Sequence, residues 1–262
     1  MRALEKKIAI VTGGGTGIGR AVSRAYAKEG ATVVIGNRRV ENGEAVVAEI
    51  NQEGGKAEFL RTDVADEISI RGLVKHTVDR YGRVDILVNN ATPNGMSARL
   101  ENVQNESMDI QLDVNVRGIL WAMQEAFPSM KANGGGRIIN MGSLNGVNAH
   151  KYTTTYNTSK EGMRGLTRTA AVEWGKYGIT SNIICPAAAA EAWEQMLIHS
   201  KDLTDKLLDS HPMKRMGDAD KDVAPIAVFL ASDGAGWING NTIFADGGAH
   251  VNGVQWDFDP GE

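Results

Sequence analysis

The amino-acid sequence predicts an α/β fold in which a parallel sheet carries helices on both faces. The order of the predicted elements supports this prediction. Short apolar runs bounded by turn residues alternate with longer helical patterns along most of the chain. Such alternation indicates βαβ units, and βαβ units build parallel sheets. The predicted fold class is therefore a Rossmann-like, doubly wound parallel sheet of about seven strands.

The predicted elements follow one another in a regular order. The strands are expected at residues 7–11, 32–35, 57–60, 84–88, 137–141, 180–184 and 242–244. The main helical stretches are expected at about 18–29, 41–52, 67–81, 103–132 and 155–177. No proline-rich or serine-rich linker interrupts the pattern, so residues 1–262 are predicted to form a single domain. The stretch 188–212 departs from the alternation, and we interpret it either as a loop insert that closes over a substrate or as a surface helix pair.

Composition and charge exclude several classes of protein. Of the 262 residues, 42% are hydrophobic, which is enough to fill a sizeable core. The formal net charge of -4 argues against a nucleic-acid partner. The apolar runs are too short to cross a membrane, and the charged residues 3–7 are not expected to open a secretion signal. The single cysteine, Cys185, fits a reducing cytosol, so a cytoplasmic location is expected, and no metal site is predicted.

A glycine-rich turn, IAIVTGGGTGIGRAV, joins the first predicted strand to the first helix. Its spacing is Gly13-x-x-x-Gly17-x-Gly19 and not the stricter G-x-G-x-x-G. Small residues let the backbone approach a pyrophosphate, and a helix that begins at Ile18 offers free N–H groups. We therefore expect a dinucleotide to be bound by Gly13, Thr16, Gly17, Ile18 and Gly19. Other nucleotide sites and S-adenosylmethionine sites use similar loops, so the loop alone leaves these alternatives open.

The end of the second strand indicates which dinucleotide is bound. An acidic residue at this position accepts hydrogen bonds from the adenosine ribose of NAD. This chain has Asn37, Arg38 and Arg39 there instead. A guanidinium can hold a phosphate through two hydrogen bonds, so the sequence favours NADP over NAD. The alternative is that both arginines are solvated and that Asn37 contacts the unphosphorylated ribose of NAD.

Polar residues also follow the third and fourth predicted strands, at the carboxyl edge where open α/β sheets bind ligands. Asp63 and Val64 follow the third strand and are expected near the adenine. Asn89 and Ala91 belong to an Asn-Asn-Ala run after the fourth strand, and we assign them to the cofactor site. Either pair could also belong to an ordinary turn.

The stretch HKYTTTYNTSK places Tyr156 four residues before Lys160. Residues four apart share one face of a helix, so both side chains can point into one site. A lysine charge about 4 Å from a phenol, at an effective dielectric constant of about 20, favours the phenolate by roughly 4 kcal/mol. We therefore expect Lys160 to lower the pKa of Tyr156 and make it an acid–base group. Tyr152 has no lysine one turn later, and we interpret it as a packing or pocket-rim residue.

Two further polar residues precede this helix in the chain. Ser143 ends the strand in RIINMGSLNG, at the same edge of the sheet as the glycine turn. Asn115 lies in LDVNVRG, inside a predicted helix, and is either a site residue or a satisfied core amide. Asn145 and Trp193 are expected to contact the substrate.

These motifs resemble those of the short-chain dehydrogenase/reductase family, and the resemblance extends over nearly the whole chain. The glycine motif matches residues 12–19, and the Asn-Asn-Ala motif matches residues 89–91, although Thr92 stands where glycine is usual. The late Asp246-Gly247-Gly248 is also typical. The catalytic residues of the family match Asn115, Ser143, Tyr156 and Lys160.

The resemblance implies an NAD(P)-dependent oxidoreductase that interconverts a ketone and a secondary alcohol. It implies that Tyr156 exchanges a proton with the substrate oxygen, and that Lys160 lowers the tyrosine pKa and binds the nicotinamide ribose. Ser143 would hold the substrate oxygen, and Asn115 would anchor a water that passes protons to Lys160. The tyrosine–lysine spacing is similar to that of carbonyl-reducing members, and a homotetramer is implied.

The chain departs from the family pattern after the sixth strand, in CPAAAAEAW. Pro186 is expected at the cofactor, but it is followed by Ala187 where glycine is usual. Glu191 stands where a hydroxyl residue usually contacts the nicotinamide carboxamide. Alanine also disfavours the positive φ that glycine adopts cheaply. We interpret Cys185 as a small buried apolar residue and not as a catalytic thiol.

Two other classes of function remain open from the sequence. A regulatory protein on the same fold would bind the cofactor without turnover, and a methyltransferase would keep the glycine loop without the serine, tyrosine and lysine. The sequence does not indicate the chemical class of the substrate, because the residues expected at the rim of the pocket include both polar and apolar side chains. These rim residues are Asn94, Asn145, His150, Tyr152, Trp193 and Met196.

Overall fold

The structure, a computed structural model, describes residues 2–93, 97–188, 208–209 and 211–251. Its strands are β1 Ile8–Thr12, β2 Thr32–Asn37, β3 Lys56–Arg61, β4 Ile86–Asn89, β5 Gly136–Met141, β6 Ile179–Pro186 and β7 Thr242–Ala245. They form one parallel sheet in the order β3-β2-β1-β4-β5-β6-β7. The predicted Rossmann-like sheet is confirmed, and every predicted strand lies within two residues of its observed bounds.

The helices cover both faces of the sheet. They are α1 Gly17–Lys28, α2 Val40–Gln52, α3 Glu67–Tyr81, α4 Asn105–Leu112, α5 Ile119–Ala132, α6 Leu144–Asn148, α7 Thr154–Trp174 and α8 Ala224–Ala231. Helices α1, α2 and α8 contribute to one core, and α3, α5 and α7 contribute to the other. Adjacent residues of β1 belong to different cores, with Val11 in the first core and Ile10 in the second. Strands that are buried on both faces explain the continuous apolar runs in the sequence.

The stretch 103–132, predicted as one helix, is two α-helices joined by a π-helical segment, Asp113–Gly118. At this point the helix passes very close to the turn after β3. A Cβ atom at Gly118 would lie 2.2 Å from the carbonyl oxygen of Val64. The segment contains Asn115, and π-helical turns of this kind often occur at functional sites.

The strand order places a crevice at the carboxyl ends of β1 and β4. Strand β1 pairs with β2 on one side and with β4 on the other. The chain builds one half of the sheet from β1 to β3 and then crosses to the other side of β1, where β4 begins the second half. Open α/β sheets bind ligands at such a switch point. The carboxyl ends of β5 and β6 continue the same edge, with Asn89 opposite Asn140 and Met141 opposite Ile184. We call this the carboxyl edge.

The predicted insert at 188–212 falls mostly outside the described residues. Trp193, Met196 and Glu191 lie in the part not described, and so does the rim residue Asn94. At the start of the insert, Ala188 forms a parallel bridge with Gly217. Among the helices that the structure describes, none has the length and apolar character needed to cross a membrane.

Candidate active site

The glycine turn after β1 packs directly on the loop after β4. Gly13 has φ +65°, and a Cβ atom there would lie 2.9 Å from the Cα of Ala91. A Cβ atom at Gly19 would lie 2.2 Å from the carbonyl oxygen of Gly13. Both glycines are therefore required by the close approach of the chain to itself.

Gly17 differs because it faces open space. It has φ +51°, and a Cβ atom there would meet no heavy atom within 4 Å. Helix α1 begins at Gly17, its N-cap residue Thr16 makes no side-chain capping bond, and its first turn has no acidic residue. The N–H groups of this turn and the positive end of the helix dipole therefore suit a pyrophosphate. This geometry fits the dinucleotide that the sequence predicts.

Asn90, the middle residue of the Asn-Asn-Ala motif and not predicted as a site residue, holds the glycine turn in place. Its Nδ2 donates to the carbonyl oxygens of Thr12 (3.0 Å) and Gly13 (3.1 Å). The backbone N–H groups of Asn90 and Ala91 both donate to Thr12 Oγ1. By contrast, the side chain of Asn89 is buried and donates to Asn140 Oδ1 at 2.8 Å. The Asn89 side chain is therefore part of the core, and only its backbone can face the crevice.

The residues expected to select the cofactor lie at the end of β2. Asn37 Nδ2 donates to the carbonyl oxygen of Arg39 at 2.7 Å. Asn37 also packs on the glycine turn, since a Cβ atom at Gly15 would lie 2.9 Å from its Nδ2. The Arg38 side chain is exposed and follows β2 directly. A guanidinium here is accessible to a phosphate on the adenosine ribose.

Asp63 and Val64 form the turn after β3, at the same edge. Asp63 Oδ1 accepts a hydrogen bond from the backbone N–H of Ala65 at 3.1 Å, and the backbone N–H of Asp63 donates to Ser69 Oγ. The Asp63 carboxylate therefore stabilises its own turn. Its second oxygen has no recorded hydrogen bond among the described residues and can accept one from an adenine amino group.

Helix α7 brings Tyr156 and Lys160 to the carboxyl edge. The Lys160 side chain is buried, and its Nζ donates to the carbonyl oxygen of Met141 at 2.8 Å. The same Nζ lies 5.4 Å from the centroid of the Tyr156 ring. Tyr156 is partly exposed, and the Ser143 side chain is near enough to its hydroxyl to lower its pKa. Ser143, Tyr156 and Lys160 are thus together, as their spacing predicts.

The pKa values of this pair differ from the expectation. Burial raises the pKa of Tyr156 above its ordinary value, and the nearby Ser143 side chain opposes this only in part. Burial also lowers the pKa of Lys160 to about 7. The expectation that Lys160 lowers the tyrosine pKa is therefore wrong for the protein alone. The reason is that the ammonium is desolvated and bonds to the Met141 carbonyl rather than to the phenol.

Asn115 is fully buried beside this cluster. Its Nδ2 donates to Gln111 Oε1 at 2.8 Å and to Ser159 Oγ at 3.1 Å. Its Oδ1 has no hydrogen-bond partner among the described residues, and neither does the buried hydroxyl of Thr155. Asn115 is therefore not a fully satisfied core amide, and a buried carbonyl oxygen of this kind requires a partner.

Ser143 caps the short helix α6. Its Oγ accepts from the backbone N–H of Asn145 at 3.2 Å and lies 3.3 Å from Asn145 Oδ1. Asn145 Nδ2 in turn donates to Thr153 Oγ1 at 3.1 Å, which ties this loop to the start of α7. Of the two predicted substrate contacts, Asn145 therefore lies beside the cluster, and Trp193 lies outside the described residues.

Tyr152 does not belong to the cluster. It precedes α7 with φ +68° and is 52% exposed. The guanidinium of Arg99 lies 6.0 Å from its ring centroid. His150 is also exposed, and its carbonyl oxygen accepts from Asn157 Nδ2. Both residues are consistent with the rim of a pocket.

The end of β6 accommodates the unusual alanine without strain. Pro186 is the last residue of the strand and pairs with Ala245. The backbone N–H of Ala187 donates to Ala245 O at 2.9 Å, and Ala187 O accepts from Gly217 N at 2.8 Å. Ala187 is not among the residues with positive φ, so the expected penalty for replacing glycine does not arise. Cys185 is buried, and burial raises the pKa of its thiol to about 11, which agrees with a non-catalytic role.

The chain is similar in sequence to known reductases. A family model described as enoyl-(acyl carrier protein) reductase matches residues 13–250. The 3-oxoacyl-[acyl-carrier-protein] reductase FabG of Staphylococcus epidermidis is 35% identical over 250 residues, which span 94% of this chain and 99% of that protein.

Two solved structures share the fold over nearly the whole chain. A Sinorhizobium meliloti protein, proposed to be a short-chain alcohol dehydrogenase, has a TM-score of 0.90 and 32% identity, with 96% of this chain and 98% of that chain covered. A Beutenbergia cavernae protein, proposed to be an NAD(P)-dependent gluconate 5-dehydrogenase, has a TM-score of 0.88 and 31% identity, with 95% and 98% covered. The latter contains NADP at low occupancy.

Proposed function

Because the chain belongs to the short-chain dehydrogenase/reductase family, we propose that it interconverts a ketone and a secondary alcohol by NAD(P)-dependent hydride transfer. The observation that carries the proposal is the grouping of Ser143, Tyr156 and Lys160 at the carboxyl edge. This edge also carries the uncapped start of α1, which suits a dinucleotide. The three side chains supply the acid, the hydrogen-bond donor and the cation that carbonyl reduction requires.

Tyr156 is the general acid and base in this proposal. The bound nicotinamide supplies the hydride to the carbonyl carbon, or accepts it in the reverse direction. The Tyr156 hydroxyl protonates the carbonyl oxygen, and the Ser143 hydroxyl donates a second hydrogen bond to the same oxygen. A phenol whose pKa is raised by burial stays neutral, and the neutral form is the one that protonates a ketone.

Lys160 and Asn115 support the proton transfer. Lys160, whose pKa is lowered by burial to about 7, can exchange a proton near neutral pH and is proposed to restore the proton that Tyr156 gives up. Asn115 is proposed to hold a water that passes protons to Lys160, and its unpaired Oδ1 supports this role.

The comparisons name two different reactions. The description of the family model is an enoyl reductase, whereas the relative from Staphylococcus epidermidis is a 3-oxoacyl reductase. We favour the carbonyl reaction because Tyr156 lies four residues before Lys160, a spacing similar to that of carbonyl-reducing members of the family.

A turnover assay separates this proposal from a regulatory protein that only binds the cofactor. In the reductive direction, the assay uses NADPH or NADH with a panel of ketones and with one α,β-unsaturated ketone. In the oxidative direction, it uses NADP or NAD with the corresponding alcohols. Turnover of ketones supports the proposal, and selective reduction of the carbon–carbon double bond supports an enoyl reductase. Cofactor binding without turnover of any compound supports the regulatory alternative.

We further propose that NADP is preferred and that Arg38 is the reason. Arg38→Ala is expected to weaken NADP binding roughly 10- to 100-fold, because a hydrogen bond to a charged group typically contributes ~1.5–3 kcal/mol. NAD lacks the phosphate, so its dissociation constant should change little. Calorimetric titration with both cofactors measures the two effects. Arg168→Ala is the matched control, since Arg168 is exposed on α7. Equal losses for NADP and NAD, or a wild-type protein that does not prefer NADP, contradict the assignment.

The remaining parts of the proposal concern the whole protein. Residues 1–262 are proposed to be one catalytic domain, with 188–212 as the segment that closes over the substrate. A homotetramer is proposed from the family resemblance, and light scattering tests it. A cytoplasmic location is proposed from the single buried cysteine.

A further inference from the structure

A carboxylate–imidazole pair lies immediately after β7. The Asp246 side chain is buried and accepts hydrogen bonds from the backbone N–H groups of Gly248 (3.1 Å) and His250 (2.8 Å). It also contacts His250 Nδ1 at 2.9 Å and 3.0 Å. Carboxylate oxygens accept hydrogen bonds, so Nδ1 carries the hydrogen and Nε2 is left for another partner. In the part of the chain that the structure describes, Nε2 has no recorded hydrogen bond.

The imidazole ring is held in one orientation. It stacks on the Phe244 ring with a centroid distance of 4.2 Å and an interplanar angle of 9°. The hydrogen bond to Asp246 fixes the rotation of the ring within that plane. The His250 side chain is nevertheless 33% exposed. A fixed and accessible polar atom of this kind is suited to recognising a ligand, because little side-chain entropy is lost on binding.

The pair lies next to the proposed catalytic cluster. Phe244 is paired with Cys185 across β6 and β7. A Cβ atom at Gly142, the residue before Ser143, would lie 2.9 Å from Cys185 Sγ. The strand residue next to Phe244 therefore packs against the turn that carries Ser143.

The turn that carries the pair also contacts the residues at the end of the predicted insert. A Cβ atom at Gly247 would lie 3.4 Å from the Met213 side chain, and one at Gly248 would lie 3.6 Å from the Pro212 side chain. The turn that carries His250 therefore packs against Pro212 and Met213.

We propose that His250 Nε2 binds a hydroxyl group of the substrate that is remote from the reacting carbonyl, so that the enzyme favours hydroxylated ketones. This inference rests on the proposed function. The charge of the pair decides the class of ligand. With a neutral imidazole the pair carries a net negative charge, and with an imidazolium it is neutral, so neither state attracts a carboxylate. A hydroxyl both donates and accepts, so it suits either state of the ring.

The test compares three ketones that share one ring: cyclohexanone, 4-hydroxycyclohexanone and 4-oxocyclohexanecarboxylate. In the wild-type protein, kcat/KM for the hydroxylated ketone is expected to exceed that for cyclohexanone roughly two- to tenfold, as for one neutral hydrogen bond. The carboxylate is expected to show no such advantage. His250→Phe retains an aromatic ring for stacking and removes Nε2, so the ratio should fall to about one.

His76→Phe is the matched control. His76 is also partly exposed and also contacts a carboxylate, with its Nε2 2.8 Å from Glu58 Oε1 on the edge strand β3. Its substitution should leave the ratio at the wild-type value. The ratio compares two ketones on the same protein, so a smaller folded fraction in either variant cancels.

Calorimetric binding of the same ketones to the NADP-loaded protein separates this inference from the proposed function. A hydroxyl preference in binding that His250→Phe abolishes, without turnover of any ketone, supports the inference and contradicts the proposed function. Turnover with the same ratio in wild type and His250→Phe overturns the inference and leaves the proposed function intact. A wild-type protein that shows no hydroxyl preference in either measurement also overturns it, as does an equal loss in His76→Phe.

Discussion

Tyr156→Phe is expected to lower kcat/KM for ketone reduction about 10²- to 10⁴-fold, which is the usual contribution of a general acid. The substitution removes only the hydroxyl that contacts Ser143 and keeps the ring that lies 5.4 Å from Lys160 Nζ. The affinity for NADP should therefore change by no more than a few-fold. Steady-state kinetics and calorimetric titration of NADP measure the two quantities.

Tyr152→Phe is the matched control for this experiment. Tyr152 is 52% exposed, lies before the start of α7 and has Arg99 near its ring. The variant should retain most of the activity. An active Tyr156→Phe combined with an inactive Tyr152→Phe contradicts the assignment of the acid.

Lys160→Met is expected to lower kcat/KM to a similar extent and also to remove a dependence of stability on pH. Burial lowers the pKa of Lys160 from 10.5 to about 7 in the folded protein. Between these two values the unfolded chain holds a proton that the folded protein does not. The free energy of unfolding of the wild-type protein therefore has a contribution that rises with pH across this window and is lost as pH falls towards 7. Methionine does not titrate, so the variant should lack this contribution.

Urea unfolding of the cofactor-free protein at pH 7 and pH 9 measures the effect. Lys176→Met is the matched control, because Lys176 lies 5.1 Å from the centroid of the Tyr177 ring but is exposed. This control should show the same difference between the two pH values as the wild-type protein. If Lys160→Met also shows that difference, Lys160 is not the buried titrating group that the structure indicates.

The sequence predicted the sheet well because parallel strands buried on both faces leave a simple signature. Each apolar run was found as a strand, and the spacing of Ser143, Tyr156 and Lys160 correctly indicated that they meet. The π-helical segment at 113–118 was missed, and it includes Gly118, which approaches the Val64 carbonyl closely. Such a contact joins residues far apart in the chain, and no local pattern reveals it.

The electrostatics of the site could not be read from spacing either. The expectation for Tyr156 depended on one lysine charge at one distance, whereas the burial of both residues dominates their pKa values. The penalty expected at Ala187 was wrong because the backbone angle there depends on hydrogen bonds with Ala245 and Gly217. Asn90 was overlooked because its partners are backbone carbonyls of the glycine turn.

The most direct test of the central claim follows the hydride itself. The wild-type protein is mixed with a ketone that it reduces and with NADPH that carries deuterium on the transferred position of the nicotinamide, and the product is examined by mass spectrometry and NMR. The proposed function predicts one deuterium on the carbinol carbon, formed by the wild-type protein and by Tyr152→Phe, and at least about 100-fold more slowly by Tyr156→Phe. Deuterium found elsewhere in the product, or incorporated at the same rate by Tyr156→Phe, contradicts it.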